Sequence, residues 1–277
     1  MRGARLGIET TCYLSINRNK KSVAIDLKSE EGRAILMRLV ADADVVIQNM
    51  RPGAAARLGI DFDSLKAVNP RIVYVSISGY GAEGPLRAAP GQDLLVQSFS
   101  GTTMNGGVAG GLPHPAPIYV VDVAASHNAC EAVMAGIIQR DRHGLAVEAE
   151  VSLLAAVLEI QTQEITTCMT TGRGGPRGEA PSAFNYMDPP YGVYRVTDAF
   201  IALAQADVAR LGEVLDDDTI RELAATPPDD ADEAAVAAQR DGFYRAVQAA
   251  IARETREDVV ARLSAAGIWT WAGAGLR

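Results

Sequence analysis

Short apolar runs rich in β-branched residues recur along the first third of the chain. They lie at residues 22–27 (SVAIDL), 44–47 (DVVI) and 71–77 (RIVYVSI), and runs of this kind are typical of strands. Between the first two, apolar residues recur at helical spacing over residues 30–41, directly after the favoured capping residue Ser29. The pattern predicts a helix there. The alternation of strands with helices predicts a parallel α/β sheet with right-handed crossovers.

Loops rich in glycine and proline separate the elements in the middle of the chain. Residues 78–91 (SGYGAEGPLRAAPG) follow the third predicted strand, and loops after strand carboxyl ends are where α/β proteins usually bind ligands. Asp122 directly precedes a strong helical pattern, where aspartate is a favoured N-terminal cap. Further elements are predicted as short helical pieces after the loop at Pro52-Gly53 and through Val68, as helices over 92–99, 123–142 and 153–171, and as a strand over 146–151.

A second, smaller unit is expected after the glycine- and proline-rich stretch 171–190. We therefore predict a large α/β domain at residues 1–172 and a linker with a smaller domain of strands and helices at 173–277. The small domain is expected to contain a strand pair followed by alanine-rich helices. Residues 269–277 (WTWAGAGLR) hold both tryptophans and leave little room for another element, so a frayed end is expected.

The composition fits a soluble globular protein and disfavours several functional classes. The 277 residues are 48% hydrophobic and carry a net charge of −8, which argues against a general nucleic-acid binder. No apolar run is long enough for a membrane span, and no apolar segment follows the N-terminal MRGAR, so a cytoplasmic location is expected. Three cysteines and three histidines, all widely spaced, predict reduced thiols and no metal site.

An ordered set of segments resembles the family III coenzyme A transferases, also called the carnitine dehydratase/bile-acid-inducible family. The resemblance covers nearly the whole chain, and it is the order of the segments that makes it specific. The segments are YLSINRNKKSVAIDLK (13–28), ADVVIQNMRPGAAARLGID (43–61), NPRIVYVSISGYGAEGP (69–85), PGQDLLVQSFSG (90–101), VVDVAASHNACEAVMAGIIQRDRHG (120–144), PPYGVYRVTDAFIALA (189–204) and TREDVVARLSAAGI (255–268).

The resemblance implies a fold and a reaction. The implied fold is a Rossmann-like large domain with a smaller α+β domain, in subunits that pair as interlocked homodimers or as heteromers of related chains. The implied reaction moves CoA from an acyl-CoA donor to a carboxylic acid acceptor through an aspartyl anhydride and an aspartyl-CoA thioester. CoA is then a substrate, and no tightly bound cofactor is expected.

The same resemblance implies the site residues. Asp122 stands in the position of the catalytic aspartate, and Asp93 where the family has a carboxylate near the reaction centre. A helix N-terminus suits Asp122 because free N–H groups and the positive dipole end stabilise negative charge. The implied CoA contacts are Ile25, Asp26, Leu27, Lys28, Asn49, Met50, Arg51, Arg57, Pro90, Gly91 and Gln92.

Each charged residue in this set also has a purely structural interpretation. Asp122 could be a helix cap, and Asp93 an ordinary carboxylate at a helix start. Lys28 and Arg57 could be solvated surface charges, although both can meet phosphate oxygens, and arginine can do so with two parallel hydrogen bonds.

Departures from the family pattern leave alternatives open. The family normally has a strand–helix unit before NRNK (17–20) and continues past AAGI (265–268), so this shortened chain is expected to need a partner or to be inactive. Family racemases place a histidine at position 92, and Gln92 cannot act as a base. An acyl-CoA racemase or isomerase and a non-catalytic subunit of a complete transferase remain the alternatives. A dehydrogenase is disfavoured because no GxGxxG follows a predicted strand.

Overall fold

The computed structural model describes residues 4–180, 185–229 and 232–272. The chain divides into two compact units. The first unit comprises Met1–Val75 and Val133–Ala149, and the second comprises Ser76–Ala132 and Glu150–Arg277. The division into a large domain at 1–172 and a linker with a small domain at 173–277 stays a prediction.

Strands and helices alternate in the first half of the chain, and helices dominate the second. In chain order the first elements are β1 (Arg5–Leu6), β2 (Glu9–Thr10), α1 (Thr11–Ile16), α2 (Glu30–Ala41), β3 (Val45–Gln48), α3 (Ala54–Leu58), α4 (Phe62–Val68), β4 (Val73–Ser78), α5 (Asp93–Phe99), a short 3₁₀ helix (Thr102–Asn105), α6 (Val120–His143) and β5 (Val147–Ser152). They are followed by α7 (Leu153–Ile160), α8 (Thr162–Thr171), β6 (Gly192–Arg195), β7 (Phe200–Leu203), α9 (Val208–Leu215), α10 (Asp218–Ala225), α11 (Glu233–Ile251), α12 (Arg256–Ala265) and β8 (Thr270–Ala272).

A parallel three-stranded sheet, in the order β3-β4-β5, carries the α/β part of the fold. The predictions of strands at 44–47, 71–77 and 146–151 are therefore confirmed to within two residues. The helix predicted at 30–41 is confirmed as α2, and the Ser29 side chain accepts a hydrogen bond from Gly32 N–H as its cap. Each of these elements has a strong local pattern in the sequence: an apolar run for the strands, and a capping serine with helical spacing for α2.

The strand predicted at residues 22–27 is wrong, because this segment is irregular. The Asp26 side chain accepts a hydrogen bond from Lys28 N–H (2.9 Å), and the Ser29 hydroxyl donates to Asp26 O (2.9 Å). Such a turn competes with extended structure. A strand also needs a hydrogen-bonded neighbour, and none of the described strands pairs with this segment.

The single helix predicted at 153–171 is two helices, α7 and α8. They meet at Gln161, whose backbone (φ −102°, ψ 23°) leaves the α-helical region. The Gln161 side chain is buried and donates to Val157 O (3.1 Å), so it satisfies a backbone carbonyl near the end of α7.

A small antiparallel sheet in the order β6-β7-β8 lies within the second unit. The expectation of a frayed end at residues 269–272 is wrong, because Thr270–Ala272 forms β8 and pairs with β7. Alternating tryptophan and threonine favour a strand once an edge is available. The rest of the predicted frayed end, residues 273–277, lies outside the described residues.

Each unit has its own apolar cluster. In the first unit buried residues from the helices pack against β4, and the cluster consists of Val40, Ala55, Ile60, Leu65, Ile72 and Tyr74. In the second unit helices α9–α12 pack against the small sheet around Tyr194, Ile201, Leu211, Ile220, Phe243, Val247, Ile251, Val259 and Leu263. No helix in the described ranges is both long and apolar enough to cross a bilayer.

Candidate active site

Asp122 lies in the first turn of α6 and does not cap it. The interpretation of Asp122 as an N-terminal cap is wrong, because the helix begins at Val120. The residue before the helix is Tyr119, which is not a capping type. The cap comes from elsewhere in the second unit.

The carboxylate that caps α6 belongs to Asp93, the first residue of α5. Its Oδ2 accepts hydrogen bonds from Val121 N–H (2.9 Å) and Asp122 N–H (3.0 Å). Asp93 is buried, and these bonds satisfy two of the N–H groups that a helix leaves open at its start. The expectation that free N–H groups surround Asp122 is therefore wrong for these two donors.

A buried glutamine on the same helix holds Asp93. Gln97 Nε2 donates to Asp93 Oδ1 (2.5 Å), and Gln97 Oε1 accepts from Ala116 N–H (2.8 Å). The side chain of Gln97 is almost fully inaccessible to solvent. The sequence analysis missed this residue. Its position one helical turn after Asp93 was the available signal, because residues four apart share a helix face.

A contact between two glycines places the start of α5 next to the end of β4. A Cβ added at Gly91 would lie 2.3 Å from Gly79 Cα, and one added at Gly79 would lie 2.6 Å from Gly91 Cα. Only glycine permits so close an approach of two backbones. Gly79 follows β4 directly, so the segment from Pro90 to Asp93 lies at the carboxyl end of that strand, where α/β proteins usually bind ligands.

The surroundings of Asp122 favour its neutral form. Desolvation raises the pKa of Asp122 above its ordinary value, and the negative charge of Asp93 raises it further. Part of the Asp122 side chain nevertheless remains accessible to solvent. A carboxylate that is less well solvated and remains accessible is suited to attack an electrophilic carbon.

The predicted CoA contacts at Ile25, Asp26, Leu27 and Lys28 lie in the first unit and form a fixed turn. Leu27 packs against the core, whereas Lys28 is exposed. The start of α2 comes so close that a Cβ at Gly32 would lie within van der Waals overlap of Asp26 O. The turn therefore presents the Lys28 ammonium to solvent from a rigid base.

The predicted contacts at Asn49, Met50, Arg51 and Arg57 follow β3, also in the first unit. Met50 N–H donates to Gln48 Oε1 (2.7 Å), and the Met50 side chain packs against the core. Asn49, Arg51 and Arg57 are exposed. These residues and the turn at 25–28 are thus held in one unit, and Pro90, Gly91, Gln92, Asp93 and Asp122 in the other.

The comparison with known proteins decides the family. Residues 1–272 match the profile of CoA-transferase family III. The chain belongs to this family. Among curated family III proteins it is 34% identical over 193 residues to the succinate–glutarate CoA-transferase of Agrobacterium fabrum. It is 29% identical over 201 residues to the probable fatty acyl-CoA transferase Rv3272 of Mycobacterium tuberculosis.

A solved structure of the family has the same fold. A CAIB/BAIF family protein from Brucella suis superposes with a TM-score of 0.75 at 28% identity, over 92% of this chain and 66% of that one. The predicted fold class and the resemblance to family III are thereby confirmed. The two curated relatives align over 69% and 70% of this chain, which spans 47% and 51% of their own length.

No metal centre accompanies this family III site in the described residues. Residues 4–180, 185–229 and 232–272 contain no group of three His, Cys, Asp or Glu side chains placed to hold a metal ion.

Proposed function

We propose that this protein transfers CoA from an acyl-CoA to a carboxylic acid, with Asp122 as the nucleophile. The observation that carries the proposal is the placement of Asp122: an accessible carboxylate in the first turn of α6, whose backbone is held by Asp93. Membership of CoA-transferase family III supports the reaction class.

The proposed reaction needs no external acid or base. The Asp122 carboxylate attacks the thioester carbon, the C–S bond breaks, and a mixed anhydride and a CoA thiolate result. The thiolate attacks the Asp122 carbonyl and expels the donor acid, which leaves an aspartyl-CoA thioester. The acceptor carboxylate attacks this thioester and expels the thiolate. The thiolate then attacks the acyl carbon of the new anhydride, which releases the new acyl-CoA and free Asp122.

This reaction assigns a modest role to Asp93. No step requires proton transfer, and both oxygens of Asp93 accept hydrogen bonds from protein N–H groups. The predicted catalytic role of Asp93 is therefore proposed to be indirect. A racemase reaction would instead need two opposed proton carriers, and Gln92 cannot be one of them.

CoA binding is proposed to use the exposed cations of the first unit. Lys28, Arg51 and Arg57 can pair with the phosphates of CoA, because each presents its charge to solvent from a fixed backbone. The backbone at Ile25–Leu27, with Asn49, is proposed to contact the remainder of the CoA molecule from the same unit. CoA acts here as a substrate and dissociates after each cycle.

A homodimer, or a heteromer with a related chain, is proposed as the working assembly. Large apolar side chains on the second unit are exposed, among them Phe99 (58%), Ile118 (67%) and Tyr119 (56%). Exposed apolar groups of this size are typical of surfaces that a protein partner covers. Sedimentation velocity at micromolar concentration distinguishes a dimer from a monomer.

The direct test is to trap CoA on Asp122. The Agrobacterium relative is named for succinate and glutarate, so succinyl-CoA with glutarate is the first pair to assay. After brief incubation with succinyl-CoA and quenching, mass spectrometry is expected to find CoA on the peptide that contains Asp122. Asp122→Asn is expected to abolish both the adduct and the transfer.

The matched control is Glu131→Gln, which removes an exposed carboxylate from the same helix. It is expected to retain the adduct. Transfer that survives Asp122→Asn would overturn the proposed nucleophile. A folded protein that forms no adduct with any acyl-CoA would favour a non-catalytic subunit.

A further inference from the structure

A continuous set of polar contacts links the interior of α5 to the backbone that carries Asp122. It begins at Ala116 N–H, passes through the Gln97 amide and the Asp93 carboxylate, and ends at the N–H groups of Val121 and Asp122. All these groups lie within the second unit. Nothing in the proposed reaction uses Gln97 directly.

The orientation of the Gln97 amide follows from its two partners. Ala116 N–H can only donate, so it must face the amide oxygen, and the amide nitrogen is then the group that faces Asp93 Oδ1. Gln97 is almost fully buried, so water is not at hand to replace either contact. If the amide were reversed, its nitrogen would face the Ala116 N–H group, so that donor met donor. Its oxygen would face the Asp93 carboxylate, so that acceptor met acceptor.

Asp93 is consequently held at both oxygens. Oδ1 receives the Gln97 amide, and Oδ2 receives the two N–H groups of the first turn of α6. Hydrogen bonds to a charged group are stronger than neutral ones, so this carboxylate links α5 and α6 firmly. A shift of Gln97 would be passed through Asp93 to the turn that carries Asp122.

We propose that Gln97 is a positioning residue for the Asp122 nucleophile. By fixing the Asp93 carboxylate, it fixes the first turn of α6 and so the point from which the Asp122 carboxylate approaches the thioester. The assignment rests on the proposed function of Asp122. It makes Asp93 a second positioning residue and leaves Asp122 as the catalytic residue.

The test variant is Gln97→Met, which keeps the length and volume of the side chain and removes both hydrogen bonds. Displacements of about 1 Å in a reacting group can cost on the order of 100-fold in rate. We expect kcat to fall by about 10- to 100-fold, with KM for the acyl-CoA changed less than about threefold. The matched control is Gln161→Met, which removes another buried glutamine of the second unit, one whose side chain bonds to Asn105 and to Val157 O.

A readout that does not depend on activity separates this proposal from the proposed function. Hydrogen exchange at the amides of Val121 and Asp122, resolved by NMR, is expected to speed up by about tenfold or more in Gln97→Met, because loss of a charged hydrogen bond costs at least that factor. Gln161→Met is expected to leave both amides protected. If the wild type transfers no CoA, the proposed function fails, and unchanged exchange in Gln97→Met would overturn the positioning link by itself.

A second variant covers the case in which Gln97→Met does not fold. In Gln97→Glu the new carboxyl can donate to Asp93 only when it is protonated. Its transfer rate relative to wild type at the same pH is therefore expected to rise as the pH is lowered, by about tenfold between pH 8 and pH 5. A ratio that does not change with pH, or a Gln97→Met enzyme with wild-type kcat, would overturn the proposal.

Discussion

At the scale of single residues, the charge on Asp93 both holds the start of α6 and disfavours the ionised form of Asp122. The same carboxylate that holds the first turn of α6 raises the pKa of Asp122 by its negative charge, in addition to the larger effect of desolvation. Because a carboxylate must be ionised to act as a nucleophile, the rate of the proposed transfer is expected to depend on pH. Desolvation of Asp122 and the charge of Asp93 are therefore expected to set the lower end of the working pH range together.

The pH dependence is predicted in sign. We expect kcat/KM to fall as the pH is lowered through the raised pKa of Asp122. In Asp93→Asn the neighbouring negative charge is lost, the pKa of Asp122 is lower, and the acid limb of the profile moves to lower pH. The profile of Glu131→Gln is expected to match the wild type, and an acid limb that does not move in Asp93→Asn would show that its charge does not act on Asp122.

Gly91 is predicted to tolerate no side chain. In Gly91→Ala the new Cβ would overlap the backbone of Gly79, so the start of α5 must move away from β4. Overpacking of this kind costs about 1–3 kcal/mol in the free energy of unfolding, which urea denaturation measures.

The control for this substitution is Gly106→Ala. Its Cβ would meet His114 Cβ at 3.4 Å, an ordinary contact, so a change of less than about 1 kcal/mol is expected. A Gly91→Ala protein as stable as Gly106→Ala would mean that the two backbones separate at little cost.

At the scale of elements, α11 fixes a loop of the second unit through two adjacent buried residues. Asp241 accepts hydrogen bonds from Glu179 N–H and from Ala180 N–H (3.0 Å), and Arg240 donates to Pro176 O and Asn185 O. Burial lowers the pKa of the Arg240 guanidinium, and the charge of Asp241 opposes this change. The helix thus supplies both donors and acceptors to residues 176–180 and to Asn185, none of which lies in a strand.

Asp241→Ala is predicted to destabilise the protein. It leaves the buried N–H group of Ala180 and the partly buried N–H group of Glu179 without their acceptor, and an unsatisfied buried donor costs about 1–3 kcal/mol. We expect a loss of about 2–3 kcal/mol in the free energy of unfolding, measured in urea. Asp218→Ala, which removes an exposed carboxylate paired with Arg221, is expected to cost less than about 1 kcal/mol. Equal effects in the two variants would contradict the role of Asp241.

The elements that sequence reasoning placed correctly are those whose signals are local. Helix α2 combines a capping serine with helical spacing of apolar residues, and β4 is a dense β-branched run, so neither needs information from distant residues. The prediction of a strand at 22–27 is wrong because a strand depends on a neighbouring strand, and this segment has none among the described strands. β8 was missed because its neighbour, β7, is distant in the sequence and only the fold brings the two together.

The candidate site was predictable only in part. The resemblance to the family selected Asp122 and Asp93, but the sequence placed Asp122 as the cap of its own helix. The true cap is 28 positions away from Val121 along the chain, and no local pattern reports such a contact. Gln97 was missed although its spacing from Asp93 is a local signal, because its second partner, Ala116 N–H, lies 19 positions further along the chain.

At the scale of the whole molecule, the chain carries its implied CoA contacts in two units and has a net charge of −8. A polyanionic ligand is repelled by an acidic protein unless cations are concentrated at its site. We propose that Lys28, Arg51 and Arg57 are the cations concentrated at the CoA site. Binding of CoA should therefore weaken with ionic strength.

Free CoA is predicted to stabilise the folded protein. A ligand that binds only the folded state adds about 2.7 kcal/mol at a hundredfold excess over its Kd, and a thermal melt detects this as a rise in Tm. Arg57→Ala is expected to reduce the rise because it removes a phosphate partner. Arg38→Ala removes an exposed cation from α2 and serves as the control. A Tm unaffected by millimolar CoA would argue against the proposed binding residues.

The cap of α6 also bears on the order in which the chain is synthesised and folds. Asp93 is synthesised before the helix that it completes, and Tyr119 offers that helix no substitute of its own. A nascent or half-folded chain therefore carries an ordinary, freely hydrated aspartate at position 122. The proposed nucleophile therefore reaches its place in a completed first turn of α6 only once α5 has docked.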